Sequence, residues 1–279
     1  MMKKLILTIA TISFCAAAAA QTTAEDYLAR LERLVRAVGP AGVGVETLLD
    51  RWEEDFPDDQ AVHAARFNYH FQKSQRTEMV AKGTQRRFLG NPPALTLKDA
   101  DGQDVNYFEE TFFDEAVFAE AIKVLDRQLA LHPDELSFHL LKISALAAYE
   151  KESPDMAAAE LKALIERQAS ARPAWTFNGE PAEAETFQQA VGECCYVFFQ
   201  TGTPSGYEYF REVSERMNKL FPKNPVFLDN LGSYQLVVKE NDKQAAKYYK
   251  KALKLDPDDY AATTNLQIIE RRKAQAKKK

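Results

Sequence analysis

The sequence predicts an all-α protein, a superhelical array of helix–turn–helix units with a small β-hairpin insertion. Three observations carry this. Gly and Pro together make 23 of 279 residues, about 8% where an average chain has about 12%, which argues against turn-rich all-β, collagen-like and low-complexity chains. Apolar residues recur at three- and four-residue spacing along most of the chain. Prolines return at the ends of these apolar runs, where a helix cannot continue through them.

The first element is a processing signal. Lys3 and Lys4 precede the apolar run Leu5–Phe14, and Ala16–Ala20 supply small residues ahead of Gln21. That is the three-part layout of a secretory signal, too short for a span of about 20 apolar residues. Cleavage after Ala20 is expected, so residues 1–20 stand outside the fold. The alternative is lipid attachment at Cys15, but bulky Phe14 occupies a place that wants a small residue. An exported protein, periplasmic or extracellular, is the preferred reading. No later apolar stretch approaches 18 residues, so no transmembrane segment is expected in the mature chain.

The body, residues 21–270, reads as one helical repeat domain. Tyr27, Leu28, Leu31, Leu34, Val35 and Val38 follow the helical rhythm, as do Val117, Phe118, Ala121, Ile122, Leu125 and Leu129, and Tyr207, Phe210, Val213, Met217 and Leu220. Helices are expected near 24–38, 44–55, 58–73, 113–131, 134–151, 154–170, 183–200, 204–220, 224–240, 242–255 and 258–275. Helices of this length cannot each bury a stripe alone, and stacking them is the natural solution. Two stretches break the rhythm. In residues 74–112, Leu95-Thr96-Leu97 and Val105-Asn106-Tyr107-Phe108 flank Asp101-Gly102, a strong hairpin signal. Residues 171–182, with Trp175 and Phe177, read as a plain loop. The tail, Arg271–Lys279, holds six basic residues and no acid. The net charge of −5 is therefore an average over a basic signal, an acidic body and a basic tail.

Four junctions share one pattern: Phe56-Pro57-Asp58-Asp59, His132-Pro133-Asp134-Glu135, Phe221-Pro222-Lys223-Asn224 and Asp256-Pro257-Asp258-Asp259. Pro stops one helix, and the residues after it can cap the next. Arg172-Pro173 ends a helix without a capping acid. Pro222 and Pro257 lie 35 residues apart and Pro133 and Pro173 lie 40 apart, which fits a unit of about 34 with insertions. The best copy, Val226–Asp259, has Leu231-Gly232 in its first helix, Ala245 and Tyr249 in its second, then Ala252-Leu253-Lys254-Leu255-Asp256-Pro257. This resembles a tetratricopeptide repeat, with Leu228 and Gln235 where the family prefers Trp and Tyr. Ala121-Ile122, Leu125, Leu129, Leu131 and Pro133 form a half-preserved second copy. The resemblance implies a right-handed superhelix over nearly all of the mature chain, although only about one repeat is motif-specific. In it, Gly232, Ala245 and Ala252 let helices approach closely.

Motifs for chemistry are scarce. Asp99-Ala100-Asp101-Gly102 has Leu97 and Phe108 where a calcium loop needs oxygen ligands, so it reads as a turn. His63/His70 and His132/His139 are each seven residues apart, about 10 Å along a helix, which is too far for one zinc to join unaided. Cys194-Cys195 reads as two partly buried thiols in preference to an adjacent disulfide. No nucleophile elbow, zinc-protease helix, phosphate loop or dinucleotide fingerprint is present, so neither a cofactor nor a metal is expected. Glu53-Glu54-Asp55 and Glu109-Glu110 read as solvated faces. The acidic body, and a tail without aromatics, give no nucleic-acid footprint.

The resemblance implies that the first helix of each pair lines a concave groove. By position this places Val226, Asp229, Ser233, Leu236 and Val237 there, with Gln60, His63, Phe67, His70 and Phe71 in the repeat after Pro57. The family's clamp for peptide carboxylates needs Lys and Asn where Asp229 and Ser233 stand, so an acidic C-terminal peptide is a poor ligand. The leading expectation is a non-catalytic scaffold of the bacterial envelope, holding a protein or peptide in an acidic, aromatic-lined groove with the hairpin insertion at one rim. The alternative is an enzyme or carbohydrate-handling protein that uses the 74–112 insertion, with Trp175 and Tyr107 as stacking surfaces.

Overall fold

The computed structural model describes residues 22–276. Residues 1–20, where a processing signal is expected, with Cys15, and the last three lysines of the tail lie outside the described residues. Among the described residues the chain is mostly helical. The helices are α1 (Ala24–Val38), α2 (Val45–Asp55), α3 (Gln60–Lys73), α4 (Glu115–Leu131), α5 (Leu136–Glu150), α6 (Asp155–Ala171), α7 (Thr186–Gln200), α8 (Pro204–Leu220), α9 (Pro225–Val237), α10 (Asp242–Leu255) and α11 (Tyr260–Ala276). Every expected helix is present, with ends within a turn of the apolar pattern. The helix α11 runs through Arg271 to Ala276, so this part of the basic tail continues the last helix.

The four Pro junctions fold alike. Phe56, His132, Phe221 and Asp256 each take an extended φ before the proline, because its ring disfavours helical geometry in the residue ahead. Their carbonyls then accept from the N–H three residues on, of Asp59 (3.2 Å), Glu135 (3.0 Å), Asn224 (3.0 Å) and Asp259 (3.3 Å). These four residues each cap the next helix with a side-chain oxygen, on Ala61, Ser137, Val226 and Ala262 respectively. A cap of this kind contributes about 1 kcal/mol.

Short connections bring consecutive helices side by side, and α5 with α7, α6 with α8, and α9 with α11 also touch. One core runs from α3 to α9, with smaller clusters at α1–α3 and α9–α11. Gly232 shows why the small residues stand where they do. A Cβ there would lie 2.6 Å from Cε1 of buried Tyr249, so only glycine lets α9 and α10 close. Ala245 and Ala252 are fully buried in the same cluster.

The insertion extends further than the hairpin. Strands β1 (Gln75–Ala81), β2 (Leu95–Lys98) and β3 (Asp104–Phe113) form an antiparallel sheet of order β1-β3-β2. The β2–β3 hairpin turns at Asp99–Gly102, where Asp99 Oδ1 accepts from the N–H groups of Asp101 and Gln103. The strand β1 was not legible: it is exposed along most of its length, so burial imposes no alternation on it. The 171–182 segment is not a plain loop either. Strands β4 (Thr176–Phe177) and β5 (Glu180–Pro181) pair in a small hairpin.

Candidate functional site

A cleft lies between the insertion and the corner where α7 meets α8. After β1 the chain makes a long excursion, anchored by buried Phe88, whose ring meets Phe108 edge-on at 5.9 Å. Lys82 Nζ stands 3.7 Å from the Phe88 ring and 2.8 Å from Glu110. Lys151, just past α5, reaches the other Glu110 oxygen at 2.8 Å. Burial works to raise the Glu110 pKa, but the two lysines overcome it and hold the carboxyl below its ordinary value.

Beyond Phe88 the chain turns back through Leu89 and Gly90, both at positive φ, and Phe88 and Asn91 exchange N–H to carbonyl bonds of 3.0 and 2.9 Å. A Cβ on Gly90 would lie 2.9 Å from the Gln200 carbonyl. Glycine therefore lets the turn rest on the end of α7. Between them is a cleft of about 680 Å³, lined by Arg87, Leu89, Glu152, Tyr196, Phe199, Gln200 and Tyr207 among others. The Tyr196 and Phe199 rings lie 6.2 Å apart at 22°, and Tyr207 meets Phe199 at 5.3 Å. Aromatic faces line it beside amides, hydroxyls, the Arg87 guanidinium and the Glu152 carboxylate, the mix of apolar surface and a few polar groups that ligand clefts share. The nearby Cys194 and Cys195 are free and buried.

The residues expected to share a groove on α3 separate onto different faces. His63 and His70 line a second cleft, about 420 Å³, walled by α2 and α4. Its centre is Arg66, which bonds Asp50 at 2.7 Å and Glu53 at 2.9 Å. His63 Nε2 donates to the Pro57 carbonyl at 2.8 Å. Burial, then the Arg66 charge, holds the His70 pKa below its ordinary value. Gln60 faces the other way, into a cleft shared with Ser137, Phe138, Asn178 and Gly179, where its Oε1 is buried without a hydrogen-bond partner. Phe67 is only 2% exposed and belongs to the core. It stacks on Phe71 at 5.5 Å, and Phe71 in turn meets Phe113 and Phe118.

The helix α9 divides similarly. Val226 and Val237 are exposed, at 46% and 49%, and with Ser233 they make a stripe at helical spacing. Leu236 and Asp229 are buried. Ser233 meets the Tyr249 hydroxyl at 3.1 Å. Burial, with the neighbouring carboxylates of Asp259 and Asp256, pushes the Asp229 pKa up to about 8. The acidity expected of this face therefore loses its main contributor.

Trp175 is buried against Phe187, with rings stacked at 5.5 Å and its Nε1 donating to Gln168. It cannot serve as a stacking surface. His139 lies edge-on to Trp175, and burial lowers its pKa. Tyr196, Phe199, Tyr207 and Arg87 were missed because their approach depends on the loop crossing to α7. The signal that could have found them was Leu89-Gly90 within a long insertion.

No protein-family model matches the chain, and a search of curated proteins returns no match either. Among the described residues, no helix is long and apolar enough to cross a membrane, and no group of three or more His, Cys, Asp and Glu is placed to hold a metal ion.

Proposed function

We propose that this chain is an exported, non-catalytic scaffold of the tetratricopeptide kind, which binds a protein or peptide segment along the first helices of its pairs. The pairing of α3 with α4, α5 with α6, α7 with α8 and α9 with α10 supports this architecture. So do the four equivalent Pro turns and the close α9–α10 contact at Gly232. The observation that carries the binding reading is apolar exposure on consecutive first helices. Tyr196 and Val197 are exposed on α7, Val226 and Val237 on α9, and Gly192 of α7 lies beside Val226. Tyr196 also opens onto the insertion cleft, so a ligand lying along these helices would end against the insertion. The sequence of residues 1–20 supports export, with lipid attachment at Cys15 as the alternative.

Photo-crosslinking side chains at Val226, Val237 and Tyr196, with Lys250 of α10 as the control, test the binding surface in the bacterial envelope. Crosslinks concentrated at the first three positions are expected. Equal yields at Lys250 would remove the groove reading. The 680 Å³ cleft favours a second reading, a neutral glycan packed on Tyr196 and Tyr207. Saturable oligosaccharide binding, lost in Tyr196→Ala, would favour it over the scaffold.

A further inference from the structure

We propose that β1 is a docking edge for a second copy of this chain. The two β1 strands pair antiparallel about a two-fold axis and join two three-stranded sheets into one of six strands. The strand lies at the outside of the β1-β3-β2 order, and its register with β3 runs unbroken over seven residues. Lys82 N–H donates to the Asn106 carbonyl at 2.9 Å, and Asp114 N–H to the Ser74 carbonyl at 2.7 Å. Antiparallel ladders alternate, so even-numbered residues turn their main-chain groups to β3. The N–H and C=O groups of Thr77 and Met79 then point out of the open edge. Natural edges are blunted by Pro, bulges or charged side chains, lysines above all, which a symmetric partner can use only if the charges complement each other. Here residues 76–79 are exposed, and the only charges along them are Arg76 and Glu78, 2.7 Å apart.

Those two charges select the partner and the register. Open groups can meet only if odd-numbered residues face odd-numbered residues. Centring the axis on Thr77 sets Arg76 opposite Glu78 of the second copy, and Glu78 opposite its Arg76, two complementary pairs from one symmetric contact. Centring it on Glu78 opposes two glutamates, and centring it on Met79 opposes Arg76 to Lys82. A Val80 centre draws on Lys82, already held by Glu110 and Phe88. Every such register keeps matching faces together. Met79, Ala81, Leu95, Leu97, Val105 and Tyr107 share one face through the pairings of β1 and β2 with β3, and Met79, Leu95 and Leu97 are each 47% exposed. The dimer sets these faces of the two copies on one side of the joined sheet, with Glu109 opposite Met79 and Thr111 opposite Thr77 in each. Its ladder is short, so association is reversible and follows concentration.

Sedimentation equilibrium of the whole mature chain over a wide concentration range tests this. The wild type is expected to pass from one chain mass to two as concentration rises. Thr77→Pro deletes an outward N–H and should stay monomeric with an unchanged circular dichroism spectrum. Glu78→Arg opposes two pairs of arginines and should weaken the dimer by about tenfold or more. Arg76→Glu with Glu78→Arg restores complementarity and should recover it, which separates pairing from misfolding. A wild type that is monomeric throughout, or a Glu78→Arg variant that associates like the wild type, would overturn the proposal.

Discussion

The Glu135 carboxylate accepts a hydrogen bond from the Gly179 N–H at 3.0 Å, across 44 residues of chain. It also accepts from Asn178 N–H, Thr176 Oγ1 and Ser137. One buried side chain thus caps α5 and fastens the β4–β5 hairpin over the start of the helix. Desolvation works to raise its pKa, but the bonds from Ser137, Thr176 and Gly179 win and hold it below the ordinary 4.5. A depressed folded value means the contribution is complete above about 4.5 and disappears as pH falls through the folded value. Glu135→Gln should cost about 1.5–3 kcal/mol at neutral pH, and urea unfolding should show a weaker loss of stability on acidification than in the wild type.

Asp229 carries the opposite sign. Its folded pKa stands near 8 against an ordinary 3.8, so its carboxyl is protonated at neutral pH and available to donate to Asp259, the cap of α11. That stabilisation is full below about pH 4 and is lost as pH rises through 8. Asp229→Asn should melt with the wild type below about pH 4. Above pH 8 it should gain about 1–3 kcal/mol by avoiding a buried, unpaired charge. Thermal scans at the two pH values check this.

Gly232→Ala places a methyl group against Tyr249. Overpacking of this kind costs about 1–3 kcal/mol. Replacing Tyr249 with Leu in the Gly232→Ala background should return part of that loss, because the clash is with the ring. Chemical denaturation of the four chains of this cycle gives the coupling.

Burial pushes both Cys194 and Cys195 to about 12. With so little thiolate at pH 8, native protein should resist iodoacetamide, whereas an unfolded chain of residues 21–279 should take up two labels. Intact mass before and after denaturation reads the result. A native mass two hydrogens short would indicate an adjacent disulfide instead.

Phe67→Ala should cost about 3–5 kcal/mol, since it empties a core position. Any loss of binding in that variant would report unfolding, so Val226 and Tyr196 are the better probes of the proposed binding surface. Equilibrium unfolding of Phe67→Ala and Val226→Ala separates the two roles, with Val226→Ala close to the wild type.

Much of the fold was legible because its signals are local. The period of Leu125 and its neighbours, the proline after His132 and the Asp101-Gly102 turn each act within a few residues, and each appears in place. The candidate site was less legible. Register on α3 placed His63 and Gln60 together, yet a rotation of about 60° around the helix axis directs them to different neighbours. Tyr196 and Arg87 stand over a hundred positions apart, and no local pattern records that they line one cleft.

The sequence by itself determined where helices begin and end, where the hairpin turns and that Gly232 must stay small, because sterics and capping act over a few residues. The tertiary structure decided which face of each helix is covered. It paired Thr77 with Thr111, buried Trp175 against Phe187 and left Val226 open to solvent. Those outcomes rest on which distant element arrives to exclude water. An amphipathic stripe specifies that it must be buried, but not by what.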